Sequence, residues 1–185
     1  MTSQDLHAPI ADGDLALEPM AERHRAGLAA ACAADADIWA IYSSDWSPAG
    51  FDANFDALLA DPRRLAFAIV LGGRVIGMNC FLDAGHVPGV VEIGGTYMAP
   101  DTRATGLNAR IKRLLIARAA ACGIHRAELR IDTRNARSMA AAEKLGAVRE
   151  GVLRRHRFTW TGHLRDTAIY ALFPDEWLAG RAPPA

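Results

Sequence analysis

The stretch Val90–Asn108, VVEIGGTYMAPDTRATGLN, constrains this chain more than any other. It opens as an apolar strand with one acid, Glu92, inside it and a glycine pair, Gly94-Gly95, across its middle. Adjacent glycines weaken a regular ladder and mark a bulge or a close approach of another backbone. Pro100 ends the extended run, and Arg103-Ala104-Thr105-Gly106-Leu107-Asn108 leads into a helix. A loop of small residues that opens a helix presents unpaired N–H groups at the positive end of the dipole, where an anion is stabilised. Arg103 can add a charge-assisted contact there. The loop lacks Gly-Lys-Ser/Thr and is not Gly-x-Gly-x-x-Gly, so neither common nucleotide fingerprint applies.

The rest of the sequence supplies a sheet around this corner. Leu15–Pro19 reads as a short strand, and Met20–Ala34 and Asp52–Leu59 as helices. Between those helices Trp39, Tyr42 and Trp46 pack the two together or line a pocket. Leu65–Leu71 and Arg74–Leu82 flank a Gly72-Gly73 hairpin, and Val90–Met98 is the third strand of that meander. Thr105–Cys122 has an apolar stripe through Leu107, Ile111, Leu114, Leu115 and Ala119, with Arg110, Lys112 and Arg113 off it. Arg126–Asp132 alternates as a strand. Asn135 caps a helix that Gly146 ends, and 147–158 with 166–173 form a closing hairpin. The order β-α-α-β-β-β-α-β-α-β-β fits one α/β (α+β) domain over 14–178, with a lead-in over 1–13 and a frayed tail over 179–185.

Composition narrows the function. Lysine plus arginine and aspartate plus glutamate number 21 each, so the chain lacks the basic excess of a nucleic-acid binder. The longest apolar run, Leu65–Leu71, is too short for a bilayer, and residues 1–13 lack the pattern of a secretory signal. Cys32, Cys80 and Cys122 are widely spaced, which favours buried thiols over disulfides or metal ligation. We expect a cytoplasmic protein with no metal, no nucleic-acid partner and no membrane association.

Met98-x-Pro100-x-x-Arg103-x-x-Gly106-x-Asn108 resembles the pyrophosphate-binding motif of the Gcn5-related N-acetyltransferases. Asn108 at its end resembles the Thr-Gly-x-Asn variant of the RimJ/RimL-like subgroup, which acetylates protein N-termini. Asn135-Ala-Arg-Ser138 followed by Glu143-Lys144-Leu145-Gly146-Ala147 is similar to the same family's N-x-x-S…E-K-x-G helix. Glu150–Arg155, through Arg165-Asp166-Thr167 to Glu176-Trp177, resembles its closing hairpin and tail. The three blocks keep the family's order and span about residues 14–178.

The resemblance implies a mixed, mostly antiparallel sheet of about seven strands with about four helices. It also implies a splay between the fourth and fifth strands that admits the pantetheine of acetyl-CoA. By position, Thr96 and Met98 would offer backbone partners to pantetheine. Arg103, Ala104, Thr105, Gly106, Leu107 and Asn108 would hold the pyrophosphate, and Asn135 and Ser138 would contact the pantetheine arm. Glu92 stands where several relatives carry a catalytic glutamate, whereas Ala142 stands where many have the tyrosine that protonates the leaving thiolate.

The acceptor decides how strong a base is needed. An α-amino group near ~7.8 loses only about 1 kcal/mol to protonation at neutral pH, while a lysine near ~10.4 loses roughly 4–5 kcal/mol. The expected activity is acetyl transfer from acetyl-CoA to a peptide N-terminus, amino acid or small amine. Asp37, Asp45, Asp52 and Asp56 keep a polyamine or drug-like acceptor open. The missing tyrosine keeps a non-catalytic acyl-CoA sensor open, and a homodimer is compatible with the sequence. His156 could relay a proton or be structural. Arg154, Arg155, Arg157 and Arg165 could attract an acidic acceptor or form a solvated or ion-paired hairpin face.

Overall fold

A computed structural model describes residues 6–180 (for Ala36, the backbone). Residues 1–5 of the lead-in and 181–185 of the tail lie outside the described residues. The strands are β1 Ile10–Asp12, β2 Leu15–Pro19, β3 Leu65–Leu71, β4 Arg74–Leu82, β5 Val90–Met98, β6 Arg126–Asp132, β7 Val148–Phe158 and β8 Leu164–Leu172. The helices are α1 Arg25–Ala33, α2 Phe51–Ala60, α3 Leu107–Ala121, α4 Ala136–Lys144 and α5 Pro174–Leu178. The strands form one sheet in the order β1-β2-β3-β4-β5-β6-β8-β7, antiparallel throughout except where β5 meets β6.

The lead-in departs from expectation. Leu6 is buried in the core, and Ile10–Asp12 pairs with Leu15–Leu17 as an eighth strand. Three residues, Ile10 half-buried and Ala11 and Asp12 exposed, are too few to show an alternation by which a strand could be read. Arg110 of α3 fixes this hairpin from outside, reaching Asp12 at 2.6 Å and Asp14 at 3.1 Å.

Each face of the sheet has its own core. Phe67, Ile69, Phe81, Val91, Ile93, Leu129 and Ile131 pack under α3 together with Ile111, Leu115 and Ile116. The opposite face, over β3 to β5, packs Met78, Cys80 and Tyr97 against Leu28, Cys32, Trp39, Trp46, Phe51 and Phe55. Most of the 39–46 aromatics are therefore packing residues, with Trp39 fully buried. Burial pushes the Cys32 and Cys80 thiols up to about 12, which leaves both unreactive.

The glycine pair does what its position predicts. Met78 opposes Tyr97 and Cys80 opposes Gly94, so Asn79 faces both Gly95 and Thr96 in a bulge. Gly95 sits at φ 59°, which an L side chain adopts only with strain. The extra residue also swaps the faces. Val91 and Ile93 point under α3, but beyond the bulge it is Thr96 and Met98 that do so. Past Glu92, β5 and β6 have no further paired residues, since their ladder holds only Val90–Arg126, Val91–Ala127 and Glu92–Glu128. The expected splay lies there, between the fifth and sixth strands once β1 is counted.

Candidate active site

The loop ahead of α3 is built to leave donors free. Ala104 at φ 61° and Gly106 at φ 84° alternate with ordinary residues and turn successive N–H groups to one side. Thr105 closes the turn by donating its hydroxyl to the Thr102 carbonyl at 2.8 Å. No described hydrogen bond uses the N–H groups of Ala104, Thr105, Gly106 or Asn108. A Cβ at Gly106 would meet nothing within 4 Å, so the space over it is open. Leu107 is buried and anchors the first turn of α3.

Arg103 is engaged inside the protein. Its Nε donates to the Met98 carbonyl at 2.9 Å, its Nη2 pairs with Asp35, and its guanidinium lies 5.6 Å from the centre of the Tyr97 ring. It braces the loop against β5 and the residues that follow α1. Asn108 lies in the first turn of α3, and its Oδ1 is buried without a hydrogen-bond partner. Such an orphaned acceptor is the counterpart that an amide N–H of pantetheine would satisfy.

Across the splay, Asn135 caps α4 with its Oδ1 accepting from the Ser138 N–H at 3.0 Å. That leaves the Asn135 amide nitrogen and the Ser138 hydroxyl for a ligand. Ala142 is buried in the core on the same helix.

Glu92 holds the other side of the opening. Its side chain is 13% exposed, and its Oε2 lies 3.5 Å from Arg130 Nε. Burial raises its pKa above the ordinary glutamate value, while Arg130, Arg157 and Arg165 pull the other way. The carboxyl folds over Gly94, where a Cβ would stand 2.7 Å from Oε1. Gly94 therefore makes room for the acid as Gly95 makes the bulge. Glu128, directly opposite on β6, behaves differently. Burial alone would raise it, but Arg126 at 2.9 Å and Arg130 at 3.0 Å hold it below the ordinary range. Of the two facing carboxyls, Glu92 is the one whose surroundings favour holding a proton.

Two residues beside the opening take contacts that the sequence did not assign to them. Lys112, expected off the apolar stripe, is 6% exposed and donates from Nζ to the Thr96 hydroxyl at 2.8 Å. The same oxygen accepts from Asn79 Nδ2 at 2.7 Å. Burial lowers the lysine to about 8. Its signal was position: Lys112 lies one residue after Ile111 and four after Asn108, on the sheet side of α3. Tyr42 donates its hydroxyl to the Thr96 carbonyl at 2.9 Å, and burial pushes its phenol up to about 12. Thr96 is thus held on its carbonyl and its hydroxyl. His156 bonds the Thr167 hydroxyl at 3.1 Å, and burial and nearby arginines lower its pKa.

A sheet opened beside a free-donor loop, with a buried acid on the opened strand, defines an acyl-CoA-dependent transferase. The family model for the acetyltransferase (GNAT) domain matches residues 14–148, and the chain belongs to that family. It is an acetyl-CoA-dependent N-acetyltransferase. A GCN5-related N-acetyltransferase from Brucella melitensis is 26% identical, with TM-score 0.85 over 94% of this chain and 81% of the other. A protein from Chromobacterium violaceum assigned to the GNAT acetyltransferases is 27% identical, with TM-score 0.85 over 92% and 88%. Mycobacterium smegmatis RimJ, solved with CoA-disulfide, shares the fold at 22% identity and TM-score 0.73, over 92% of this chain and 91% of its own. No curated protein matches the chain. Among the described residues no helix is long and apolar enough to cross a membrane, and no His, Cys, Asp and Glu group could hold a metal.

Proposed function

We propose that Glu92 is the base that frees an acceptor amine for attack on the acetyl thioester. Acetyl-CoA supplies the activated acyl group. The N–H groups from Ala104 to Asn108 fit its pyrophosphate, and the backbone of Thr96 and Met98, with Asn135 and Ser138 across the splay, fits the pantetheine arm. RimJ, which shares the fold, was solved with CoA-disulfide, which supports this seating. Arg103 serves by holding the loop in shape.

The observation that carries the reading is a carboxyl buried at the last paired residue of β5, where the strands part. Ala142 offers no proton to the departing thiolate, so that proton comes from water or from another side chain. The acceptor is an amine small enough, or terminal enough, to reach Glu92.

Glu92→Gln should lower kcat by about 10²–10⁴-fold, the usual worth of a general base, with the Kd for CoA within twofold of native. An unchanged kcat would remove the assignment. Because the raised pKa keeps Glu92 protonated to higher pH than a free glutamate, native activity should rise with pH through that value. The variant should lose this limb of the profile.

A further inference from the structure

The floor beside Glu92 sorts its charges unevenly. Residues paired across neighbouring strands share a face, and Glu92–Glu128, Asp132–Thr167 and Arg157–Arg165 are such pairs. Glu92, Glu128, Arg130, Asp132, Arg165 and Arg157 therefore line one surface over β5, β6, β8 and β7. The apolar packing of α1 and α2 covers this face only from β3 to β5. Trp160, near the tip of the β7–β8 hairpin, donates to the Trp39 carbonyl at 2.8 Å and closes the far side of the cleft.

Within it, Glu128 is taken by Arg126 and Arg130, and Asp132 by Arg134 at 2.7 Å. Arg157 has no carboxylate partner among the described residues. Arg165 has a side chain 9% exposed, and its nearest acid oxygen, Asp132 Oδ2, stands 4.0 Å away. Its Nη2 donates to the Arg130 carbonyl at 2.9 Å, but its Nε, the atom facing Asp132, is buried with no hydrogen-bond partner. A buried guanidinium with an orphaned donor is strongly unfavourable unless something negative completes it. Arg154, Arg155 and Arg157 are solvated, as a hairpin face would have them, and Arg165 alone is buried.

We propose that the acceptor carries an acidic group, carboxylate or phosphate, that docks on Arg165 and Arg157 and so presents its amine to Glu92. This rests on the transferase reading above and specifies its acceptor class. Arginine is suited to such planar oxyanions, with donors left over for them. A polyamine would bring its second positive charge against the same two arginines.

The test uses matched acceptors that differ only in the acid, with full-length protein and saturating acetyl-CoA. β-Alanine against β-alaninamide gives the carboxylate arm; 2-aminoethyl phosphate against ethanolamine gives the phosphate arm. We expect kcat/KM to favour the acid-bearing member of at least one pair by tenfold or more, and the favoured arm names the group. Arg165→Gln and, separately, the exposed Arg157→Gln should each cut that preference at least threefold; either suffices should the other fail to fold. Preference for the neutral amines or for spermidine, or a preference unchanged in every folded variant, overturns the proposal. If no amine turns over, the transferase reading fails by itself, and calorimetry of 2-aminoethyl phosphate and β-alanine on CoA-loaded protein decides this one. Binding lost in a folded variant supports it, and no binding by native protein, or binding kept in every folded variant, overturns it.

Discussion

Lys112 shows how one side chain couples the site to stability. The amine is buried under α3 and moved from the ordinary 10.5 to about 8, a penalty of roughly 3 kcal/mol on holding its charge in the fold. The sign follows from linkage. Between about pH 8 and 10.5 the unfolded chain binds a proton that the folded chain does not, so this group adds stability as pH rises through that window. Urea denaturation of native protein and Lys112→Met should thus give a difference that shifts in favour of native protein by about 1–3 kcal/mol between pH 7.5 and 10. A pH-independent difference would contradict the burial. Glu92 works in the opposite sense. Its raised pKa means folding favours the protonated acid, so it subtracts stability as pH climbs from 4.5 through the folded value.

At the scale of elements, the bulge in β5 and the loop before α3 are the two devices that make a site from a plain meander. Gly95→Ala would put a Cβ at φ 59°, 3.1 Å from Cys80 Sγ, and should destabilise the protein by roughly 1–2 kcal/mol in thermal or urea unfolding. A loss under ~0.3 kcal/mol would mean that the backbone relaxes out of the left-handed region. These devices were legible beforehand because both rest on local chemistry: paired glycines for a bulge, small residues for a donor loop, Asn135 for a cap. What the sequence concealed depends on partners far away in the chain. Arg103 could be read as a phosphate contact, but its pairing with Asp35, distant in sequence, could not. Lys112 looked solvated because a charge on a helix usually is, and β1 was too short to show a period. Arg165 read as one of four hairpin charges, and only the neighbouring strand distinguishes it from Arg154 or Arg155.

For the whole molecule, the splay means that the large sheet is really two. Strands β1 to β5 and strands β6 to β8 meet along a seam of three residue pairs, and α3 packs over both. Such a seam is a place for local opening with a free energy below that of global unfolding. Hydrogen exchange should therefore show Glu92 and its neighbours on β5 and β6 exchanging faster than the β3–β4 ladder in the free protein. Acetyl-CoA should slow exchange there more than anywhere else outside the loop. Equal protection of seam and ladder without ligand would argue against a weak junction. If the junction is weak, the donor molecule acts as a missing strand, and the fold is mechanically complete only while the enzyme is loaded. A cell short of acetyl-CoA would then hold this enzyme in its more easily unfolded form, so that its abundance, as well as its turnover, would follow the supply of its own substrate.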